Sequence, residues 1–262
     1  MSDNPHLYEK DPRRRTLAAV LWIVLSASVV LELLNIQFGI ALFGWAVIIL
    51  LLAAGALIWV LVGTIEAGLE RARESESELR RNYDLTLEAW ANVLEYRDKE
   101  AEGHSRRVVE LSTRLAQAVG LGPEEIVHLR RGALLHDIGK LAIRDEILLK
   151  PGELNNAERS FLQKHPVYAM QMLSQITVLE PCIEVAYSHH ERWDGLGYPD
   201  GLKGEAIPLS ARIFAVVDQW DALTSDRPYR KAWTKEKVIA YMQENAGKIY
   251  DPEILKLFLT FI

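Results

Sequence analysis

The residues that could do chemistry gather around His136-Asp137-Ile138-Gly139-Lys140, which closes an apolar segment. An imidazole and a carboxylate side by side there lose hydration unless something binds them. A divalent metal ion answers that need, and Lys140 would set a cation beside an anionic substrate. Gly139 is read as the residue that lets the backbone turn behind the pair. A hydrogen-bonded structural His-Asp pair would leave the same five residues, so the rest of the chain must decide. Of the seven histidines, His6 lies in a polar tail and His128 sits among Leu129, Arg130 and Arg131, where a surface place is expected. The other five, His104, His136, His165, His189 and His190, stand in polar, motif-like settings. His165 precedes Pro166, which disfavours the helical region for its backbone. His189-His190-Glu191 opens a Gly-rich loop. Asp218 shares a helix with Ile213, Phe214, Val216 and Val217, where a lone carboxylate is costly without a partner.

Five imidazoles with carboxylates and no thiolate form the donor set of a non-haem cluster of two or three divalent ions. Octahedral Fe or Mn suits such mixed N/O ligation better than tetrahedral structural zinc does. Two ions about 3.5–4 Å apart acidify a bound water and stabilise the attacking and leaving oxygens of a phosphoester. Spacing alone leaves scattered structural histidines as an equal reading.

The elements that must position these residues read as helices, with no alternating strand pattern and no internal repeat. A helix over His104–Val119 stops at Gly120-Leu121-Gly122, and Pro123-Glu124-Glu125 makes a good first turn for the next. Asn155 and Glu158 form a capping-box pattern. Gly195 to Gly204 is a loop punctuated by Gly and Pro. Ser210 is placed to cap a helix over 211–224, Thr234 one over 235–246, and Asp251-Pro252-Glu253 begins the last.

Composition narrows the class. The chain has 262 residues, a formal charge of -6 and one cysteine, Cys182. That excludes an intramolecular disulfide, Fe–S ligation and a Cys-rich zinc site. The acidic balance argues against a duplex nucleic-acid binder. Apolar residues concentrate in two runs, about 17–34 and 40–62, after a polar tail over 1–15. At ~1.5 Å per residue each run reaches roughly 30 Å, the thickness of a bilayer core. Trp45 and Trp59 lie towards the ends of the second run. Lys10, Arg13, Arg14 and Arg15 precede the first run, and Arg71, Arg73, Arg80 and Arg81 follow the second. The expectation is a two-span hairpin in an inner membrane, with both termini and the catalytic domain cytoplasmic. The short connection leaves no room for a sensor domain between the spans. From Thr64 to about Tyr96 a charged helical linker follows. Its seam of Ile65, Leu69, Ala72, Glu76, Leu79, Tyr83, Thr86, Trp90 and Val93 predicts pairing with a second copy.

The motifs carry a family resemblance. Arg97-Asp98 with Glu100, His104-Ser105-Arg106-Arg107-Val108, the segment at 136–140, His165-Pro166, HHERWDGLGYPDG at 189–201 and ARIFAVVDQWDAL at 211–223 occur in that order. Asp226-Arg227-Pro228-Tyr229-Arg230 and Gly247-Lys248-Ile249-Tyr250-Asp251-Pro252 follow. Together they resemble the HD-GYP family, the bacterial cyclic di-GMP phosphodiesterase branch of the HD hydrolases, over about residues 86–262. The chain departs at Lys99, where Pro is usual, and at Tyr250, where Phe is common.

The chain is expected to be all-α: the apolar runs give a two-helix transmembrane hairpin, the charged stretch a helical linker (64–92), and the resemblance implies an HD-type helical-bundle catalytic domain. It puts the metal ligands on His136, Asp137, His165, His189, His190 and Asp218, with Glu100 and His104 for a third ion. His136, Asp137 and Lys140 would be catalytic, Lys140 approaching the scissile phosphate. Asp221, Arg227, Arg230 and Tyr198 would contact the dinucleotide. Gly197-Tyr198-Pro199 would shape the pocket rim and meet a diguanylate cyclase (GGDEF) partner. The implied reaction turns cyclic di-GMP into pGpG, and into GMP where a third ion is bound. A silent cyclic di-GMP receptor, a cyclase-docking module and a hydrolase of another cyclic dinucleotide remain the alternatives.

Overall fold

A computed structural model describes residues 12–38, 41–98, 103–226 and 230–262. Two long helices come first, α1 (Pro12–Phe38) and α2 (Ala41–Asp98). Then follow α3 (His104–Val119), α4 (Pro123–Leu135), α5 (Asp145–Leu148), α6 (Asn156–Leu162), α7 (His165–Leu173) and α8 (Ile183–Ser188). The last three are α9 (Leu209–Thr224), α10 (Lys235–Glu244) and α11 (Pro252–Phe258). A 3₁₀ segment, Ile138–Ala142, leaves α4, and another, Thr177–Cys182, enters α8. Among the described residues all regular structure is helical apart from isolated bridge positions. The chain divides into two compact units at Arg80.

In the first unit the apolar side chains of Trp22, Leu33, Ile49, Leu50 and Leu57 are exposed, and Gly44 lies against Leu31. Among the described residues one helix, Gly44–Asp98, is long and apolar enough to cross a bilayer, with a mean hydropathy of 2.8 in its apolar window. Trp22–Leu34 is a shorter apolar stretch. The second apolar run and the charged linker form one unbroken helix of 58 residues.

The second unit is built on α9, whose Ile213, Phe214, Val216, Val217 and Trp220 are buried. Against it pack α3, α4, α8, α10 and α11. In α3 the buried residues His104, Ser105, Val108, Ser112, Leu115 and Ala116 recur at helical spacing, so one stripe faces the core. The helix ends at Gly120, whose φ of 96° suits only glycine well, and the N–H groups of Gly120 and Leu121 donate back to the Ala116 carbonyl. Glu125 accepts from Gly122 N–H at the start of α4. The Asn155–Glu158 capping box forms both of its hydrogen bonds, at 2.9 Å each. Thr234 and Asp251 cap α10 and α11.

Three local expectations give way. Pro166 sits in the first turn of α7, where a missing N–H costs nothing, so His165 is the first residue of a helix rather than held off one. Helix α9 starts after Pro208 with no side-chain cap, and the Ser210 hydroxyl donates to Glu184 instead, at 2.8 Å. The helical seam breaks at Tyr83. Its ring lies 4.9 Å under the Arg131 guanidinium, and Leu87, Ala91 and Leu94 turn into the same unit. Full burial of a side chain such as Leu87 contributes about 1.5–3 kcal/mol, which outweighs one position of an imperfect seam. Leu79, Trp90 and Val93 stay exposed.

Candidate metal centre

The histidines arrive from four elements, and a fifth adds a carboxylate. His104 is the first residue of α3, His136 follows α4 directly, His165 opens α7, and His189-His190 follow α8. Asp218 projects from the middle of α9. Their rings form one continuous cluster. Centroids lie 5.6 Å apart for His104–His136, 5.2 Å for His136–His189, 5.3 Å for His165–His189, 5.0 Å for His165–His190 and 4.0 Å for His189–His190. Phe214 of the core packs 4.8 Å from the His136 ring and fixes one wall.

Glycine makes the close approach behind the pair. A Cβ on Gly139 would overlap the His165 carbonyl oxygen and lie 2.6 Å from the Ala169 nitrogen. Gly139 has no positive φ. It is glycine because α7 crosses its Cα, and the turn behind His136-Asp137 does not need it.

Hydrogen bonds settle which nitrogens face the cluster. A carbonyl oxygen can only accept, so each Nδ1 that bonds to one carries the proton. His165 Nδ1 donates to Leu162 O at 2.9 Å, and His189 Nδ1 to Ala186 O at 3.1 Å and Val185 O at 3.2 Å. Burial, with neighbouring cations, lowers both imidazoles from their ordinary value, so each is neutral. Their Nε2 lone pairs then face one another at 3.3 Å. Asp137 Oδ1, which accepts no hydrogen bond among the described residues, lies 3.2 Å from His165 Nε2 and 3.9 Å from His189 Nε2. Three acceptors pointed at one buried spot repel unless a cation lies among them, so the donor set fits a divalent ion.

Two ligand groups result. Asp137, His165, His189 and His190 can place ligand atoms within 4.8 Å of one another, and so can His104, His136 and Asp218. Asp137 joins them, because its Oδ2 is 3.1 Å from His136 Nε2. His136 in turn donates Nδ1–H to Ala133 O at 2.8 Å. Burial would raise the Asp137 carboxyl, but the charges of His136 and Lys140 and a hydrogen bond from His136 hold it well below the carboxylate range.

Lys140 stands at the cluster edge, 2.6 Å from Asp137 Oδ2 and 2.5 Å from Asp98 Oδ2. Asp98 is the last residue of α2, and its neighbour Arg97 donates to Lys140 O (3.0 Å), Ile143 O (2.7 Å) and Asp145 Oδ1 (2.7 Å). The Arg97-Asp98 pair therefore ties the end of α2 to the 3₁₀ segment that carries Lys140. A cavity of about 330 Å³ opens over His136, Asp137, Lys140, His189, His190, Asp218 and Arg230.

The other predicted substrate contacts divide: Arg230 and Tyr198 lie at the cavity or the cluster, and Asp221 does not line the cavity. Asp221 is buried and does not line the cavity; it bonds His104 and Arg107. Burial would raise its carboxyl, and those two hydrogen bonds bring it below the usual value. Arg230 reaches the cavity, but its guanidinium donates to Ala222 O (2.5 Å), Leu223 O (3.4 Å) and Lys231 O (3.1 Å), as a cation does at a helix C-terminus. Tyr198 stacks on His190, 4.7 Å between centroids, and burial raises its hydroxyl pKa above the ordinary value. Glu100 and Arg227 lie outside the described residues.

A model of the HD domain matches residues 88–254, which is more than half of the chain. The chain belongs to the HD domain family. Within it, the motif order from His136-Asp137 to Gly197-Tyr198-Pro199 is that of the HD-GYP branch. The chain is 41% identical over 192 residues to the cyclic di-GMP phosphodiesterase response regulator RpfG of Xanthomonas campestris pv. campestris, covering 72% of this chain and 51% of that protein. It is 41% identical over 175 residues to a cyclic di-GMP phosphodiesterase of Thermotoga maritima, 66% of this chain and 48% of the relative. It is 38% identical over 189 residues to the 3'3'-cGAMP-specific phosphodiesterase 2 of Vibrio cholerae, 71% of this chain and 35% of the relative. The chain thus spans about half the length, or less, of these curated relatives. Among solved structures, a cyclic GMP-AMP specific phosphodiesterase of V. cholerae (V-cGAP3) shares the fold at a TM-score of 0.52 and 19% identity, over 66% of this chain and 48% of that one.

The HD domain holds its Gly-rich loop with a residue the motif reading passed over. Glu191 is buried, and its carboxylate accepts from the N–H groups of Asp200 (2.8 Å), Gly201 (3.0 Å) and Leu202 (3.0 Å). Its place beside His189-His190 in a Gly-rich stretch is the only sequence signal. Glu191→Ala leaves those donors without their acceptor, at about 1–3 kcal/mol. The expected result is a lower unfolding temperature and faster hydrogen exchange at Asp200, Gly201 and Leu202. Unchanged exchange there would show that the loop holds itself.

The same HD-domain histidines give a pH dependence. Burial pushes the His190 imidazole down to about 3 from an ordinary 6.5. Between those values the unfolded chain binds more protons than the folded one, so stability rises with pH. It is fully present above 6.5 and is lost as pH falls towards about 3. Lowered His165 and His189 act in the same direction. The unfolding temperature of the metal-free protein is expected to fall steadily from about pH 7 to about pH 5. A flat profile there would mean the imidazoles are not buried neutral.

Proposed function

We propose that this chain is a metal-dependent phosphodiesterase that opens cyclic di-GMP to pGpG, and to GMP where a third ion is held by Glu100 and His104. The observation that carries the reading is the buried convergence of Asp137 Oδ1 with the His165 and His189 Nε2 lone pairs, next to Lys140. His136, Asp137, His165, His189, His190, Asp218 and His104 would hold two or three divalent ions, iron or manganese, which supply an acidified water and Lewis-acid charge to a phosphodiester. This chain's own residues do the rest. Carbonyls at Ala133, Leu162, Val185 and Ala186 hold His136, His165 and His189 with Nε2 inward. Lys140, held by Asp98, sets a positive charge where phosphoryl oxygens gain negative charge. Lys140→Ala is expected to lower kcat by about 10²–10³-fold with less effect on KM. A loss confined to KM would make Lys140 a binding residue only.

A second substrate has support, because a relative at 38% identity is named for 3'3'-cGAMP. The experiment is a panel of cyclic di-GMP, 3'3'-cGAMP and cyclic di-AMP given to protein loaded with Mn(II) or Fe(II) without oxygen, products followed by HPLC, with His136→Ala beside it. Preferred cleavage of cyclic di-GMP that is lost in His136→Ala supports the reading. Preferred cleavage of another member changes the substrate. Tight binding without turnover makes the chain a receptor.

The organisation proposed with it has a cytoplasmic tail (1–15), membrane spans at about 17–34 and 40–62, a linker (64–92) and a catalytic domain (86–262). The exposed apolar surfaces of α1 and α2 and the length of Gly44–Asp98 support an inner-membrane anchor. Exposed Ile65, Leu69, Leu79, Trp90 and Val93 support pairing of two copies through 64–96, with Tyr83 left out of the seam. Leu196, exposed beside Gly197-Tyr198-Pro199, supports that loop as a contact for a GGDEF partner.

A further inference from the structure

His104 is fully buried, 117 residues away in sequence from the carboxylate that holds it. Its Nδ1 lies 2.7 Å from Asp221 Oδ2. A carboxylate accepts, so Nδ1 carries the proton, and Nε2 points the other way, to Asp218 Oδ1 at 3.5 Å. Asp218 and Asp221 are three residues apart on α9, on one face of the helix, and they bracket one imidazole. Arg107, one turn along α3 from His104, closes the arrangement from behind. Its Nε is 2.5 Å from Asp221 Oδ1, and its Nη2 is 3.0 Å from Asp221 Oδ2 and 3.2 Å from Ser225 Oγ. Both oxygens of Asp221 are thus engaged inside the protein, and Asp221 lies off the cavity wall. That is a poor place from which to read a base.

We propose that Asp221, backed by Arg107, is a positioning residue that sets the tautomer and orientation of His104 for the metal ion held by His104, His136 and Asp218, and that it does not contact the dinucleotide. The assignment rests on the metal-centre reading above. It gives Asp221 a role other than ligand contact: the geometry is that of a carboxylate–histidine–metal relay, with a guanidinium holding the carboxylate in place. The charge of Asp221 makes the His104 ring a better donor, and Arg107 keeps that carboxylate from turning to another partner.

The test is calorimetric titration of the chelator-stripped full-length protein with Mn(II), comparing wild type, Asp221→Asn, His104→Ala and the double variant. Wild type is expected to bind at least two ions. In Asp221→Asn one ion binds about 10–100-fold more weakly and the other is unchanged. Adding Asp221→Asn to His104→Ala is expected to change nothing further, because the first acts through the second. KM for cyclic di-GMP in the loaded enzyme should stay within about threefold of wild type, since Asp221 is not asked to touch substrate. Unchanged Mn(II) affinity with a raised KM overturns the assignment and returns Asp221 to the ligand. Additive effects in the double variant also overturn it. Wild type that binds no Mn(II) overturns the metal-centre reading instead. Arg107→Gln, which leaves the Asp221–His104 bond in place, covers the case in which Asp221→Asn does not fold: it should weaken the same ion by about tenfold or less, and no change in that ion would count against the relay.

Discussion

Asp137→Ala is expected to lower turnover of the metal-loaded protein by more than about 10³-fold, beyond the 10²–10³-fold that removal of one transition-state donor costs elsewhere. The reason is position. Asp137 Oδ1 faces His165 and His189, and Asp137 Oδ2 faces His136 and Lys140. Among the described residues it is the carboxylate with one oxygen towards each ligand group. Removing it strips a donor from both and unhooks Lys140 from the pair it joins. Lys140 keeps Asp98, so the fold is expected to survive, and circular dichroism should match wild type. The check is the rate of cyclic dinucleotide hydrolysis with bound metal counted in the same sample. Turnover within tenfold of wild type would mean that Asp137 does not hold the reacting ions.

Gly139→Ala carries the largest expected effect on stability. The methyl group would meet the His165 carbonyl oxygen and the Ala169 nitrogen, both backbone, so no side-chain rotation relieves the contact. Helix α7 must move, and His165 moves with its first turn. Overpacking typically costs 1–3 kcal/mol, and a clash with backbone belongs at the top of that range, about 3 kcal/mol or more. For a folded unit of this size each kcal/mol lowers the unfolding temperature by about 2–4 °C, so a drop of roughly 6–12 °C is expected. Mn(II) binding should weaken in the same variant, because a ligand has shifted. Wild-type melting with wild-type metal affinity would show that the crossing of α7 over Gly139 is looser than the geometry states.

What could be read in the sequence was local. Gly120, Pro123, the Asn155–Glu158 pair, Thr234 and Asp251 mark helix ends by rules that act within four residues, and each marks one here. The five histidines stood out by their polar settings, but spacing alone left scattered structural histidines as an equal reading, and the ordered motifs around them tipped it. What could not be read was pairing across the chain. Lys140 meets Asp98 over 42 residues and Asp221 meets His104 over 117, distances at which nothing in residue spacing names a partner. The bonds of Asp221 to His104 and Arg107 were equally out of reach, because residue spacing does not say which way a carboxylate on α9 faces. Gly139 was read as a turn because close approach of a distant helix leaves no local mark. Pro166 and Ser210 were misread where one local rule met another, Pro being as acceptable in a first helical turn as after a strand. Tyr83 left the predicted seam because burial against its own unit won over a repeat that Glu76 and Thr86 already weakened. Glu191 was visible only as one acid among several in a Gly-rich stretch.

A histidine cluster that cuts a phosphodiester as a metal centre must lose its activity with its ions. The most direct measurement is cyclic di-GMP hydrolysis by one preparation of the full-length protein, assayed before chelation, after chelation and after Mn(II) is restored without oxygen. The expected result is turnover that disappears when the ions are removed and returns when they are replaced. Turnover that persists in the stripped protein, or none in protein shown to be loaded, would mean that the cluster is not a catalytic metal centre.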